Sequence, residues 1–143
     1  MVVWGIIKQV IFIKTKNIEQ SVTIKAAPHE VYESLMDSHR HSKLTGEKAD
    51  ISRKVGGKFT AYGQYIEGVN LELLPDKKIV QSWRASDWPE GHYSKATFLL
   101  AEIEGGTQLT LIQTGVPEEQ SDDISQGWWD FYWTPMKEQL ERD

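Results

Sequence analysis

The amino-acid order predicts an α+β fold: a curved antiparallel sheet of about six or seven strands gripping one long C-terminal helix, with two short helices after the first strand. Two observations carry this. Between Phe59 and Thr114 the apolar residues alternate with polar ones and are cut by Gly, Pro and Asp turns, the period-2 signature of half-buried strands. After Pro117 the period changes, and Ile124, Trp128, Tyr132, Met136 and Leu140 recur every four residues, as on one face of a helix.

Each element has its own local reason. Ile18 to Lys25 alternates as a strand, with Val22 and Ile24 on one side. Ala26-Ala27-Pro28 breaks it, and Pro28 suits a helix first turn, where its missing N–H costs nothing. Val31, Tyr32 and Leu35 make residues 28–36 a short amphipathic helix. A second helix is expected over about 38–44, capped by Asp37 or Ser38. Strands then follow at about 59–62, 65–73, 79–84, 94–103 and 107–114. They are separated by Gly63-Gln64, Pro75 to Lys78, the loop Ser86 to Gly91, and Gly105-Gly106. Gly115-Val116-Pro117 should end the sheet. The last helix is expected over about 122–141, with Pro135 inside it kinking it or removing a hydrogen bond near Phe131.

The chain has 143 residues, enough for one domain with a core. Residues 1–17 read as an N-terminal extension, frayed or docked as an extra strand, and 18–143 as the single domain. Residues 2–13 are largely apolar, but Lys8 interrupts them and Thr15-Lys16-Asn17 is a poor cleavage site, so a signal peptide is not expected. No apolar run reaches the roughly 18–20 residues that span a bilayer, so no membrane insertion is expected. With 16 basic against 21 acidic residues the net charge is -5, and the cations are not clustered, which argues against nucleic acid. Cysteine is absent, which excludes disulfides, thiolate metal sites and a cysteine nucleophile and points to a cytoplasmic protein. His39 and His41 stand two apart, on different helix faces, so no metal and no cofactor is expected.

The aromatic residues are the first candidates for function. The stripe on the last helix is explained by core packing or by a ligand pocket. The pocket reading rests on bulk, because Trp128, Trp129, Phe131, Tyr132 and Trp133 exceed what a helix–sheet seam needs. The facing sheet should contribute Ile79, Gln81 and Trp83 from one strand, Ala96, Phe98 and Leu100 from the next, and Leu109, Leu111 and Gln113 from the last. A small hydrophobic ligand held there would touch Phe59, Trp83, Phe98, Leu111, Trp128 and Met136. Gln81, Gln113 and Tyr132 would orient it, although each Gln is equally explained as a hydrogen-bonded structural group. A catalytic group would have to be Arg84 with Glu67 or His92, meeting across the sheet and pointing inwards.

Several short stretches, in order, resemble one family: Ala27-Pro28, Val55-Gly56-Gly57-Lys58-Phe59, Gly68, Trp83-Arg84 and Trp88-Pro89-Glu90-Gly91-His92. Gly106-Thr107, Gly115-Val116-Pro117 and Gly127-Trp128 leading to Tyr132 and Lys137 complete the set. Over about residues 18–141 the chain is similar to the C-terminal domain of the activator of heat-shock protein 90 ATPase, the AHSA1-like branch of the START-like (SRPBCC, Bet v 1-like) superfamily. The resemblance implies the helix-grip fold, a hydrophobic cavity, and a co-chaperone role that binds and stimulates heat-shock protein 90. Residues 1–17 are too short to stand in for the separate N-terminal domain of the eukaryotic co-chaperone. The chain is expected to be a non-catalytic binding domain and a monomer, with a START-like enzyme acting on a hydrophobic substrate as the further alternative. In the co-chaperone reading Arg84, Trp88, Glu90 and His92, with the acidic segment 118–123, would be the partner contacts, with Trp88 exposed at a loop tip as their anchor.

Overall fold

The computed structural model describes residues 13–141. Seven antiparallel strands form one curved sheet in the order β1-β7-β6-β5-β4-β3-β2. They are β1 (Thr15–Ile24), β2 (Asp50–Ile51), β3 (Lys58–Ala61), β4 (Ile66–Leu74), β5 (Lys78–Ala85), β6 (Ser94–Ile103) and β7 (Gly106–Pro117). Helices α1 (Pro28–Met36) and α2 (Ser38–Thr45) lie between β1 and β2. After a 3₁₀ turn (Glu118–Gln120), the closing helix runs as α3 (Ser121–Trp128), a π turn (Trp129–Trp133) and α4 (Thr134–Leu140).

The alternation read from the sequence is the register of the sheet. Gln81 lies opposite Ala96, and Ala96 lies opposite Gln113. Ile79 pairs with Phe98, Phe98 with Leu111, and Leu100 with Leu109. All of these side chains are buried on the face that receives the closing helix. Pro28 opens α1 as expected, and the Asp37 carboxylate accepts the Arg40 N–H at 2.9 Å, so Asp37 caps α2.

Three elements differ from the sequence reading. β1 starts at Thr15, inside the stretch read as an extension; the remainder of that expectation, residues 1–12, lies outside the described residues. Asp50–Ile51 adds a two-residue strand on the far edge, too short to show any period. Gly115-Val116-Pro117 does not end the sheet but continues β7, pairing Lys16 with Val116 and Thr15 with Pro117. Gly115 sits at φ 83°, a left-handed conformation that takes up the register shift between Lys16 and Ile18, while its N–H is held by the Asn17 side chain.

The closing helix answers the question posed by Pro135. Proline has no N–H to give to the Phe131 carbonyl, and the chain widens just before it: the Thr134 N–H reaches back five residues to the Trp129 carbonyl. This wide turn also explains the period of four. In an ideal α-helix residues four apart drift by about 40° per step. The π turn cancels part of that drift, so Trp128, Tyr132 and Met136 all stay buried. Two indoles dock the helix on the sheet. Trp128 Nε1–H donates to Gln113 Oε1 at 2.8 Å, and Trp133 Nε1–H donates to Gln20 Oε1 at 2.7 Å.

Candidate binding cleft between the closing helix and the sheet

The interior between helix and sheet is filled by aromatic rings. Trp128 is the hub: its ring centroid lies 5.6 Å from Trp83, 5.6 Å from Phe98, 4.7 Å from Tyr132 and 5.5 Å from Trp133. A void of only about 10 Å³ remains at this depth, bordered by Phe59, Gln81, Trp83, Phe98, Trp128 and Tyr132. One water needs on the order of 10–15 Å³, so this void accepts no organic ligand as it stands. Leu111, Gln113 and Met136 are fully buried and do not border this void.

The two glutamines are engaged within the protein. Gln113 donates to Ser94 Oγ at 3.0 Å while accepting from Trp128, and Gln81 donates to Asn70 Oδ1 at 3.1 Å. Each pair satisfies polar atoms that burial would otherwise penalise. Both amides therefore act as struts of the helix–sheet joint.

Usable space lies further out, where the helix passes the β3–β4 turn. A cleft of about 210 Å³ opens there. Trp83, Trp128 and Tyr132 form its inner wall, so three of the nine residues expected at a ligand border it. Its outer wall was not foreseen as a site: Tyr62, Tyr65 and Ile66 on the sheet side, Ile124, Gly127 and Phe131 on the helix side. The rings of Tyr62 and Phe131 meet across the rim at 5.0 Å, edge to face. Tyr62 holds φ 51° and Gly63 φ 71°. Two successive left-handed residues suit a tight hairpin, but a tyrosine there costs on the order of 1–2 kcal/mol. The contact with Phe131 holds the Tyr62 ring at the cleft.

Polar character enters this aromatic wall at two points. The first is Asp123 at the rim. Close by, the Tyr65 hydroxyl donates to Asp87 at 2.9 Å, and its pKa is pushed up to about 12 by burial, by that hydrogen bond and by the charges of Asp87 and Asp123. The second is His41, which the sequence reading set aside. It borders the inner void and is buried. Its Nδ1 lies 2.9 Å from the Leu35 carbonyl, which can only accept, so Nδ1 carries the proton. Nε2 is then left to accept the Tyr132 hydroxyl at 2.8 Å. Burial lowers the His41 pKa, opposed by the Leu35 hydrogen bond, and burial raises that of Tyr132. Nothing in the spacing of His39 and His41 announced this pair, because Tyr132 is 91 residues away.

The residues expected at a partner surface form a different structure. Trp88 is not an exposed tip: it is 3% exposed, folded back onto Trp83 at 5.4 Å and His92 at 6.0 Å. The loop closes over it because Arg84 donates to the carbonyls of Trp88, Pro89 and His92 at 2.9, 3.3 and 3.3 Å. His92 Nε2 lies 2.7 Å from the Gly115 carbonyl. Glu90 is exposed. Glu67 faces Arg84 across the strands at 3.9 Å. None of Arg84, Glu67 and His92 lines the cleft, so the catalytic arrangement considered from the sequence does not assemble there.

Comparison with known proteins then places the chain. A family profile described as "Activator of Hsp90 ATPase homolog 1-like protein" matches residues 25–141. The human protein named "Activator of 90 kDa heat shock protein ATPase homolog 1" is 29% identical over 126 residues, or 88% of this chain. The Dictyostelium discoideum protein named "Activator of 90 kDa heat shock protein ATPase homolog" is 30% identical over 116 residues, or 80% of this chain. The chain spans 37% of the human relative and 30% of the Dictyostelium one, about a third of their length. Among solved structures, an HSP90 activator from Plasmodium falciparum has a TM-score of 0.83 at 24% identity, covering 87% of this chain and 96% of that one. The Aha1 dimer from Colwellia psychrerythraea has a TM-score of 0.76 at 21% identity, covering 88% of this chain and 96% of that one. At these identities the two structures show a shared fold.

Proposed function

The chain belongs to the Activator of Hsp90 ATPase homolog 1-like family, and from that premise we propose that it is a non-catalytic interaction domain that binds a heat-shock protein 90-type chaperone and stimulates its ATPase. The observation that carries this reading is the family match together with the printed names of the relatives, which are activators of an ATPase. The geometry adds a contact surface. The loop Trp88 to His92 and the acidic turn Glu118, Glu119 and Asp122 approach one another, and Trp88, Pro89 and that turn border a common groove with Asp87, Lys14 and Lys16. Its four carboxylates outnumber its two lysines, which favours a basic partner surface and makes capture salt-dependent.

The test uses purified chaperone and the whole chain. ATP turnover should rise on titration with the chain, and capture should occur at micromolar concentration. The triple variant Glu118→Lys, Glu119→Lys, Asp122→Lys should weaken capture about tenfold at low salt, with the fold checked by circular dichroism. The absence of both capture and stimulation would overturn the proposal.

A second reading is favoured by the cleft itself: a small apolar ligand seated between Tyr62, Phe131 and Trp128. The space, about 210 Å³, suits a molecule of one or two rings better than a sterol or a fatty acid. An engineered apolar cavity of about 150 Å³ accommodates benzene. Saturable changes in tryptophan fluorescence with single-ring probes, centred on Trp83 and Trp128, support this reading. Silence across the panel removes it.

A further inference from the structure

Resting on the second reading above, we propose that the cleft selects an amphiphilic cation: a single aromatic ring carrying a short primary amine, with the ring between Phe131 and Trp128 and the ammonium at Asp123. Three features of the site point this way.

The cleft is lined by aromatic and aliphatic groups except at one place. Asp123 is the single charged residue among its ten lining residues, and no basic residue lines it. No described residue forms a hydrogen bond or ion pair with the Asp123 carboxylate. Asp87 lies close by, on the far side of the Tyr65 hydroxyl, and Asp122 is next in sequence. Asp123 is therefore the one formal charge that the cleft itself presents to a ligand. Asp123 stands in the first turn of α3, and that helix end carries only a partial positive charge. The dipole amounts to about half an elementary charge, which one carboxylate already outweighs.

Aromatic faces also favour a cation. Tyr65 and Phe131 stand at the rim, 38% and 40% exposed, where their ring faces can meet an ammonium that remains partly hydrated. A neutral apolar ligand would use the inner wall equally well but would gain nothing from Asp123. An anion would be repelled by it. The chemistry is thus divided along the depth of the cleft, apolar at Trp83 and Trp128 and anionic at the mouth.

The backbone supplies the third feature. Tyr62 is one of only two non-glycine residues with positive φ among the described residues. Its left-handed conformation accompanies the ring contact with Phe131 at the rim. With a volume of about 210 Å³, the cleft suits one ring with a short tail better than a large polycycle.

The experiment compares three probes of one shape and different charge, 2-phenylethylamine, 2-phenylethanol and phenylacetate, by tryptophan fluorescence and indole N–H chemical shifts of the full chain. The amine should bind about three- to fivefold more tightly than the alcohol, and phenylacetate most weakly. The advantage of the amine should shrink as salt is raised. Asp123→Asn should make the three probes converge. Asp130→Asn, an exposed aspartate paired with Gln126 outside the cleft, should keep the preference. Phe131→Ala, at an exposed position, should weaken all three and so locate the site. If amine and alcohol bind equally, the cation proposal is overturned and the apolar-ligand reading stands. If phenylacetate binds best, the helix end dominates and the proposal is equally overturned. If no probe binds, both readings of the cleft fall together.

Discussion

Trp88 shows what a single side chain gains and gives up by being covered. Its Nε1–H is the one buried side-chain polar atom without a hydrogen-bond partner among the described residues. An unpaired buried donor costs about 1–3 kcal/mol, while the indole's ring contacts are worth more than that. Trp88→Phe removes the unpaired donor and keeps a ring on Trp83, so its unfolding free energy should stay within about 1 kcal/mol of the parent. Trp88→Ala should lose roughly 3–5 kcal/mol. Urea titrations of both variants check the pair, and a large loss in Trp88→Phe would mean that the donor is satisfied in solution. His41 makes a second prediction at this scale. Its folded-state pKa lies below the ordinary 6.5, because burial disfavours the imidazolium. The unfolded chain therefore takes up a proton near pH 6.5 that the folded chain refuses, and more bound protons on the unfolded side lower stability. The contribution is complete above pH 6.5 and declines as the pH falls from there towards the folded-state value. His41→Gln cannot titrate, so the loss of stability between pH 7.5 and 5.5 should be smaller in that variant, as read by thermal melts at the two pH values.

Elements show where space has been traded for register. At Gly68 on β4 an added Cβ would collide with the Ser82 carbonyl oxygen and come within 2.7 Å of the Phe59 ring. Neither can retreat, since β5 is a central strand and Phe59 is buried. Gly68→Ala should therefore cost about 1–3 kcal/mol or fail to fold, whereas Gly127→Ala, with only the Phe131 ring at 4.0 Å, should be tolerated. Thermal melts of the two variants make the comparison. The same elements show what was legible beforehand. β5, β6 and β7 were readable because each presents several alternating positions, and Trp83, Phe98 and Leu111 follow as inward residues from that alternation alone. Trp128 and Tyr132 follow from the helical stripe. The π turn was present in the sequence as a period of four followed by Pro135, a combination an unbroken α-helix does not accommodate. Asp50–Ile51 carries no period at all. Tyr62 and Tyr65 reach the cleft through turn geometry, and a turn has no face to read. Trp88 could not be placed because its burial depends on Arg84 gathering three loop carbonyls, a contact between a strand and a loop that no spacing encodes.

At the scale of the whole molecule, the sheet is joined by its two ends in sequence. β1, from the start of the described chain, pairs only with β7, which ends at Pro117. The last helix closes on the same strand: Gln20 Nε2–H donates to the Ser125 carbonyl, Lys137 donates to the Thr23 carbonyl, and the Lys25 N–H donates to Glu141. The strand partner of β1 is thus made only after the other six strands. While the ribosome is still adding β6, Val22 and Ile24 have no sheet partner, and the cost of closing a loop of this length has not yet been repaid. Nascent chains arrested near residue 103 should be cut readily by protease within residues 15–24, and chains released at full length should be protected there. Protection before β7 emerges would mean that β1 finds another partner first. A half-buried strand left unpaired until β7 is made is the kind of segment that holding chaperones cover, so this domain is exposed to the cell's folding machinery at the stage when its own sheet cannot yet close.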